Sequence, residues 1–170
     1  EQLAEERIFR PLDMNDTKWG APVDGALSRT IRTINAAPGV ISDHGARAIA
    51  PHRIGNAGIF STASDLAKFC RMMLNRGRGF FKTDIAELFF TNQAPPGMTP
   101  RSIGWNMAPD FIPEGCSAST IHHTGWTGQA VWIDPAKQRF LILLTNRFGD
   151  SIESWRGRLA AAQEIFNTIV

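Results

Sequence analysis

Three short apolar segments followed by one long amphipathic segment occupy the end of this 170-residue chain and limit how it can fold. Residues 120–124, 130–134 and 140–145 each have the length and the side chains typical of a strand. A turn is indicated at residues 134–138, so the last two strands are expected to form a hairpin. Residues 152–169 change to helical spacing, with an apolar stripe formed by Trp155, Leu159, Ala162, Phe166 and Ile169. A meander of strands with one helix packed on a face predicts an α+β layer.

The N-terminal part of the chain is less regular. Residues 2–9 have helical spacing with acidic residues near the start, and Pro11 is expected to end that helix. Residues 12–56 contain many Gly, Pro, Asn and Asp residues and show little periodicity. Because so long an irregular stretch is unusual inside a compact domain, we expect it to wrap another part of the protein or to carry a binding surface.

The clearest local helix signal begins at residue 62. Thr62 and Asp65 have the spacing of a capping box, and Gly77 is a typical helix stop. Between them, one apolar face at helical spacing is formed by Leu66, Phe69, Cys70, Met73 and Leu74. The sequence therefore predicts a helix of about three turns that packs on a core.

Two shorter elements are predicted after this helix. A second helix is expected to begin at Thr83, and its inward-facing residues are expected to be Ile85, Leu88 and Phe89. Residues 103–107 are predicted as a short strand. The chain shows no internal repeat and no low-complexity segment.

Composition excludes several classes of protein. The 18 basic and 16 acidic residues give a net charge of +2, which is too balanced for a nucleic-acid-binding surface. The longest apolar run, residues 140–144, has the length of a strand and not of a membrane span. The two cysteines, Cys70 and Cys116, are too few for a disulfide scaffold, and we expect them to be unpaired, buried thiols.

The segment with the strongest chemical character is residues 122–128, His-His-Thr-Gly-Trp-Thr-Gly, at a predicted strand end. A hydroxyl and an imidazole along a strand edge suit the binding of an extended substrate, and an N–H beside Gly125 suits an oxyanion hole. The alternative interpretation is two ordinary strand residues on opposite faces, followed by glycines that mark a bulge.

A zinc site is the third interpretation of the histidines. His122 and His123 are adjacent on a strand, so their side chains point to opposite faces and rarely share a metal ion. His44 and His52 lie far away in the irregular stretch. We therefore expect no metal site.

Several segments of the chain resemble conserved patterns of the β-lactamase-like serine hydrolases, the family that includes class C β-lactamases, penicillin-binding proteins, D-peptidases and esterases. They follow one another in the family's order and at its spacing, across nearly the whole chain. The segments are residues 11–17 (PLGM-x-DT in the family), 43–48 (HD-x-NA), 55–66 (G-x-AGLFSTA-x-DL), 103–105 (LGW), 123–128 (HTGFTG), 133–135 (DP) and 144–147 (LTNR).

The resemblance implies a fold. In this family an all-helical region is inserted into a mixed α/β region with an antiparallel sheet, and the active site lies between the two. By that likeness, residues 1–100 belong to the helical region and its long loop. Residues 101–170 supply the C-terminal strands and the C-terminal helix. The chain therefore resembles the C-terminal part of a β-lactamase/transpeptidase-like fold.

The resemblance also implies a chemistry, which is acyl transfer through an acyl-enzyme, and it implies no cofactor. In the family a serine attacks a carbonyl, while a lysine one helical turn later and a tyrosine handle its proton. The segment His123, Thr124 and Gly125 matches the family's Lys-Thr-Gly strand, which binds the edge of the substrate. The backbone N–H of the following residue, here Trp126, matches the position that completes the oxyanion hole.

The nucleophilic motifs of the family are missing from this sequence. No serine is followed by lysine three residues later, and the chain contains no tyrosine. Both motifs lie N-terminal to the position of Pro11 in the family, and Glu1 begins what looks like the middle of a helix. We therefore expect a truncated fragment, inactive alone, that assembles with the missing N-terminal half or with itself through an exposed sheet edge and apolar patch.

Histidine at position 123 replaces the family's lysine. An imidazole attracts a substrate carboxylate less strongly than a permanent ammonium group does, which favours a D-peptidase or esterase over an efficient β-lactamase. Export to the periplasm or secretion is implied by the family resemblance alone. Two further interpretations remain open from the sequence: a non-catalytic module that binds a peptide or peptidoglycan, and a domain whose role is assembly.

Overall fold

The computed structural model of the chain describes residues 1–22, 25–146 and 152–168, with side chains described outside residues 152–155. Its helices are α1 Gln2–Ala4, α2 Gly25–Ser28, α3 His44–Ala48, α4 Ala63–Leu74, α5 Thr83–Leu88 and α6 Ile152–Thr168. Its strands are β1 Lys18–Trp19, β2 Ile59–Phe60, β3 Arg101–Ser102, β4 Trp105–Asn106, β5 Ile121–Thr124, β6 Gln129–Asp134 and β7 Arg139–Leu144. Arg147, the side chain of Trp155 and Ile169 lie outside the described residues.

Five antiparallel strands form the main sheet, in the order β3-β4-β5-β6-β7. The predicted C-terminal meander is confirmed, because β6 and β7 pair from Gln129 and Leu144 to Asp134 and Arg139. An α+β architecture with antiparallel strands and a C-terminal helix is thus present, as the sequence predicts. Among the described strands, β7 lies at the edge of this sheet, and it contains the apolar run of residues 140–144.

Successive side chains of each strand point to opposite faces of the sheet, and each face packs in its own core. One face carries Ile121, Ile133 and the partly buried Val131, which pack in a core with Cys70 and Met73 of α4. The other face carries a second core formed with α6 by Ala130, Trp132, Ala162, Phe166, Leu141, Leu143, Leu159 and Cys116. The sheet is therefore covered by a helix on each side, and α6 contributes its Leu159, Ala162 and Phe166 stripe as predicted.

Helix α4 follows the sequence prediction closely. The Thr62 side chain accepts a hydrogen bond from the Asp65 N–H at 3.2 Å, which caps the first turn. The helix ends at Leu74, and the N–H of Gly77, with φ of 62°, donates to the Met72 carbonyl at 3.0 Å. Cys70 and Cys116 are both free thiols, as expected, but only Cys70 is buried, and the expected burial of Cys116 was wrong because it lies at the border of the α6 core.

The irregular stretch of residues 12–56 contains short elements that the sequence does not reveal. Strand β1 pairs with β2 through Lys18 and Phe60. Helix α3 begins at its cap residue Asp43, whose side chain accepts from the Ala46 N–H at 2.7 Å. Because these pieces are two to five residues long, their apolar pattern is too short to be distinguished from a loop.

Two local predictions were wrong. Helix α5 exposes Ile85, which is 42% accessible, and buries Ala86 in its place. A six-residue helix makes few contacts, so it can rotate about its axis and bury a neighbouring residue in place of the one that the sequence pattern predicts. Residues 103–107 are not one strand, since Gly104, with φ of 75°, makes the turn between β3 and β4.

The N-terminal helix changes from α-helical to wider π-helical geometry. After α1, residues Glu5–Phe9 form a π-helix, and the Arg10 N–H donates to the Glu5 carbonyl at 3.0 Å. The helical geometry then ends, as the position of Pro11 predicts. None of the helices in the described part of the chain has the length and apolar character needed to cross a bilayer.

Candidate functional site

The two adjacent histidines of β5 lie on opposite faces of the sheet. His123 is exposed and pairs with Val131 across the strands, on the face that α4 covers further along. His122 is 1% accessible and stacks on Phe111, with ring centroids 5.7 Å apart. The two rings therefore cannot bind one ligand together, which agrees with the alternation predicted from the sequence.

Burial controls the chemistry of His122. Burial, followed by the positive charges of His123 and Arg101, lowers the pKa of the imidazole from 6.5 to about 4, and a contact with the Ala108 backbone opposes this lowering. Among the described residues, neither ring nitrogen of His122 makes a hydrogen bond of good geometry. His122 is thus a neutral residue of the interior near pH 7, directly behind the exposed His123.

Backbone pairing on the outer side of β5 stops before the end of the strand. Asn106 of β4 pairs with His122, and among the described strands no β4 residue pairs with Thr124. Because the Gly125 N–H donates to Gln129 of β6 and neighbouring residues of a strand point to opposite sides, the N–H and C=O of Thr124 face the side on which β4 lies. Among the described strands, Thr124 therefore has no backbone partner on that side, beside the exposed imidazole.

The side chain of Thr124 is placed differently from that of His123. It lies on the same face as His122, pairs with Ala130, and is half-buried. The structure therefore brings together the His123 imidazole and the Thr124 backbone, and it does not place the Thr124 hydroxyl on the His123 face.

A tight turn connects β5 to β6 and fixes the end of the candidate site. The Gly125 N–H donates to the Gln129 carbonyl at 2.7 Å, and the Gly128 N–H donates to the Gly125 carbonyl at 3.2 Å. Gly128 has φ of 119°, and a Cβ there would lie 2.4 Å from the Thr145 carbonyl oxygen. Only glycine fits this approach, so the second glycine of the motif holds the turn against β7.

Trp126 is at the exposed corner of this turn. Its side chain is 72% accessible, whereas Trp132 is fully buried in the core. Trp132 thus belongs to the core, and Trp126 belongs to the exposed turn.

A cleft of about 580 Å³ lies beside the site, between the irregular stretch and the α4 side of the sheet. Its sheet wall includes Gln129, Val131 and Leu144, and its helical wall includes Thr62 and Leu66. The opposite wall comes from residues 15–42 of the irregular stretch. The irregular stretch therefore lines a cleft, and its role as a binding surface stays a prediction.

One aromatic contact of the site is not visible in the sequence pattern. The rings of Trp105 and His123 meet edge to face, with centroids 6.5 Å apart and planes at 82°. The pairing of Asn106 with His122 places Trp105 beside His123, and strand register of that kind is not encoded in a short motif.

The loop residues considered from the sequence have structural roles. Asp43 caps α3, and His44 is exposed with its Nδ1 3.0 Å from an Arg47 nitrogen. Among the residues that the structure describes, no group of three or more His, Cys, Asp or Glu side chains is arranged to hold a metal ion.

Comparison with known proteins places the chain in a family. The Beta-lactamase family model matches residues 1–164. The N-acetylmuramyl-L-alanine amidase of Bacillus subtilis (strain 168) is 34% identical over 155 residues, covering 84% of this chain and 34% of the relative. A "Putative D-alanyl-D-alanine carboxypeptidase" of Escherichia coli O157:H7 is 28% identical over 178 residues, covering 86% of this chain and 40% of the relative. The chain therefore spans well under half the length of these relatives.

Solved structures give the same fold. Unliganded simvastatin synthase from Aspergillus terreus superposes with a TM-score of 0.73 at 15% identity, covering 99% of this chain and 49% of the synthase. A class C beta-lactamase superposes with a TM-score of 0.65 at 17% identity, covering 100% of this chain and 51% of that one. Identities this low show the fold alone. Because the family model matches residues 1–164 and the fold agrees with it, the chain belongs to the beta-lactamase family of serine-hydrolase-like proteins.

Proposed function

We propose that this chain is the substrate-binding part of a serine hydrolase that acts on D-peptides, esters or β-lactams through an acyl-enzyme. In this proposal His123, Thr124, Gly125 and Trp126 form one wall of the active site. The nucleophilic serine and its lysine come from a segment outside residues 1–170. Residues 1–100 form the helical side of the site, and residues 101–170 form its α/β side.

The observation that carries the proposal is the unpaired end of β5. The Thr124 backbone faces a side on which no β4 residue pairs with it, and His123 is exposed next to it. An extended acyl-peptide can add to such an edge through main-chain hydrogen bonds, while the imidazole contacts its carboxylate or carbonyl end. The match of residues 123–128 to the family motif makes the backbone N–H of Trp126 the proposed oxyanion donor.

The neighbouring cleft is the proposed position of the missing nucleophile segment. It has one apolar wall on the sheet, at Val131 and Leu144, and one at the start of α4, at Leu66. A segment packed there would reach the His123 face of the sheet. The matched relatives are longer than this chain, which fits a partner segment that precedes residue 1 in the parent protein.

The proposed substrate class follows from the residue at position 123. Two of the matched relatives are named as an N-acetylmuramyl-L-alanine amidase and a D-alanyl-D-alanine carboxypeptidase. Histidine in place of lysine weakens the attraction for a free carboxylate, so we propose a D-peptidase or esterase activity for the parent protein.

Labelling by a fluorescent fluorophosphonate tests this function. We expect no labelling of the 170-residue chain alone, because it has no serine with a lysine one helical turn later. The native polypeptide from its source is expected to be larger and to carry the label on a serine outside residues 1–170.

The control is the Ser61→Ala variant, since Ser61 is one of the two serines that line the cleft, with Ser42, and its Oγ lies 2.7 Å from Thr17 Oγ1. Labelling of the isolated chain that disappears in this variant would assign a different nucleophile. A native mass equal to that of this chain, with no labelled serine, would contradict the enzyme proposal and favour a non-catalytic peptide-binding module.

A further inference from the structure

The edge-to-face contact between Trp105 and His123 joins a fixed ring to an exposed one. Trp105 is partly buried and packs against the core that contains Ile121 and Met107. His123 is exposed, so its side chain would otherwise exchange between rotamers. The indole ring is 6.5 Å away, centroid to centroid, and nearly perpendicular to the imidazole. Such T-shaped contacts are attractive and directional.

The hairpin that carries Trp105 is itself held in place. The Gln93 N–H donates to the Arg101 carbonyl at 2.7 Å, and the Met107 N–H donates to the Pro100 carbonyl at 3.0 Å. The buried Ser102 hydroxyl donates to the Phe89 carbonyl at 2.6 Å. The bonds to Gln93 and Phe89 anchor β3 to the preceding segment, and the bond between Met107 and Pro100 closes the open end of the hairpin, so the indole ring presents a fixed surface to His123.

We propose that Trp105 is a positioning residue that holds the His123 imidazole in the orientation used to bind substrate. This inference rests on the proposed function of the β5 edge. Without the indole ring, His123 would have to be ordered when the substrate binds, and that ordering weakens binding. Trp105 thus acts through His123 and makes no contact with the reacting atoms.

Nuclear magnetic resonance of the full 170-residue chain, labelled in its histidines, tests this inference. The ring protons of His123 are assigned with the His123→Ala variant, and nuclear Overhauser contacts to the Trp105 indole are measured. The same samples are titrated with an N-acylated D-alanyl-D-alanine dipeptide. Three variants are compared, namely Trp105→Leu, Trp105→Phe and, as a control on the same hairpin, Ile103→Ser, whose side chain is 47% accessible.

We expect Trp105→Leu to shift the His123 ring signals, leave those of His44 and His52 in place, and weaken dipeptide binding roughly fivefold. Trp105→Phe retains an aromatic ring, so its His123 ring signals and its dipeptide binding are expected to be close to those of the unmodified chain. Ile103→Ser is expected to change neither the ring signals nor the binding. In the Trp105→Leu and His123→Ala double variant, binding should be no weaker than in His123→Ala alone.

Two results would overturn the inference. One is unchanged His123 ring signals in Trp105→Leu. The other is a loss of binding in Trp105→Leu that adds fully to the loss in His123→Ala. If the unmodified chain binds no dipeptide, the proposed function fails, while the response of the His123 ring signals still decides whether Trp105 positions that side chain.

Discussion

The free energy of unfolding is expected to fall by about 3 kcal/mol as the pH is lowered from 6.5 to 4, because of His122 alone. Burial lowers the pKa of His122 from 6.5 to about 4 in the folded chain. The unfolded chain therefore takes up this proton at a higher pH than the folded chain does. The stability is fully present above pH 6.5, declines between 6.5 and 4, and is lost below 4.

Replacing His122 by phenylalanine should remove this part of the acid sensitivity. The ring of His122 stacks on Phe111 and makes no hydrogen bond of good geometry with the described residues, so an apolar ring loses only the weak contact with the Ala108 backbone. Urea unfolding at a series of pH values measures the difference. The control is His52→Gln, which changes an exposed histidine and should keep the acid loss. Equal pH dependence in the His122→Phe variant and the unmodified chain would show that His122 is not buried in the neutral form.

Removal of the Asp65 carboxylate is expected to cost about 3 kcal/mol of stability. Asp65 is 2% accessible, and its oxygens accept from the Asp16 N–H, the Thr17 hydroxyl and Lys68 Nζ at 2.9, 2.9 and 3.0 Å. In the Asp65→Ala variant the buried Thr17 hydroxyl loses this acceptor, and the segment that lines the cleft is no longer attached to α4 at this point.

Two measurements check the role of Asp65. Thermal unfolding should show the stability loss, and trypsin should cleave after Lys18 faster than in the unmodified chain, because the segment opens locally. The matched control is Asp84→Ala, which removes an exposed carboxylate from the first turn of α5 and should cost about 0.5 kcal/mol or less. A similar loss for both variants would mean that the buried contacts of Asp65 contribute little.

The elements that the sequence predicts well are those with a long pattern or a distinctive turn. Helix α4 has twelve residues, a side-chain cap and one apolar face, and these signals agree with one another. The β6–β7 hairpin is marked by the Asp-Pro turn, where the buried Asp134 accepts from the Lys137 N–H at 3.2 Å. In both cases the residues that decide the structure are close in sequence.

The parts that the sequence does not predict depend on contacts between distant residues. The exposure of Ile85 is decided by how α5 sits on the core, and the turn at Gly104 by the pairing of β3 with β4. The cleft exists only where the irregular stretch meets the sheet. The family segments predict the location of the His123 strand, whereas the contact of His123 with Trp105 depends on strand register.

Titration of the labelled 170-residue chain with an N-acylated D-alanyl-D-alanine dipeptide, followed by backbone amide shifts, tests the central claim most directly. The claim predicts saturable shifts that are largest at His123, Thr124 and Trp126 and that are lost in the His123→Ala variant. Shifts that are confined to the far wall of the cleft, around residues 26–33, or the absence of any saturable shift, would contradict a substrate-binding role for the end of β5.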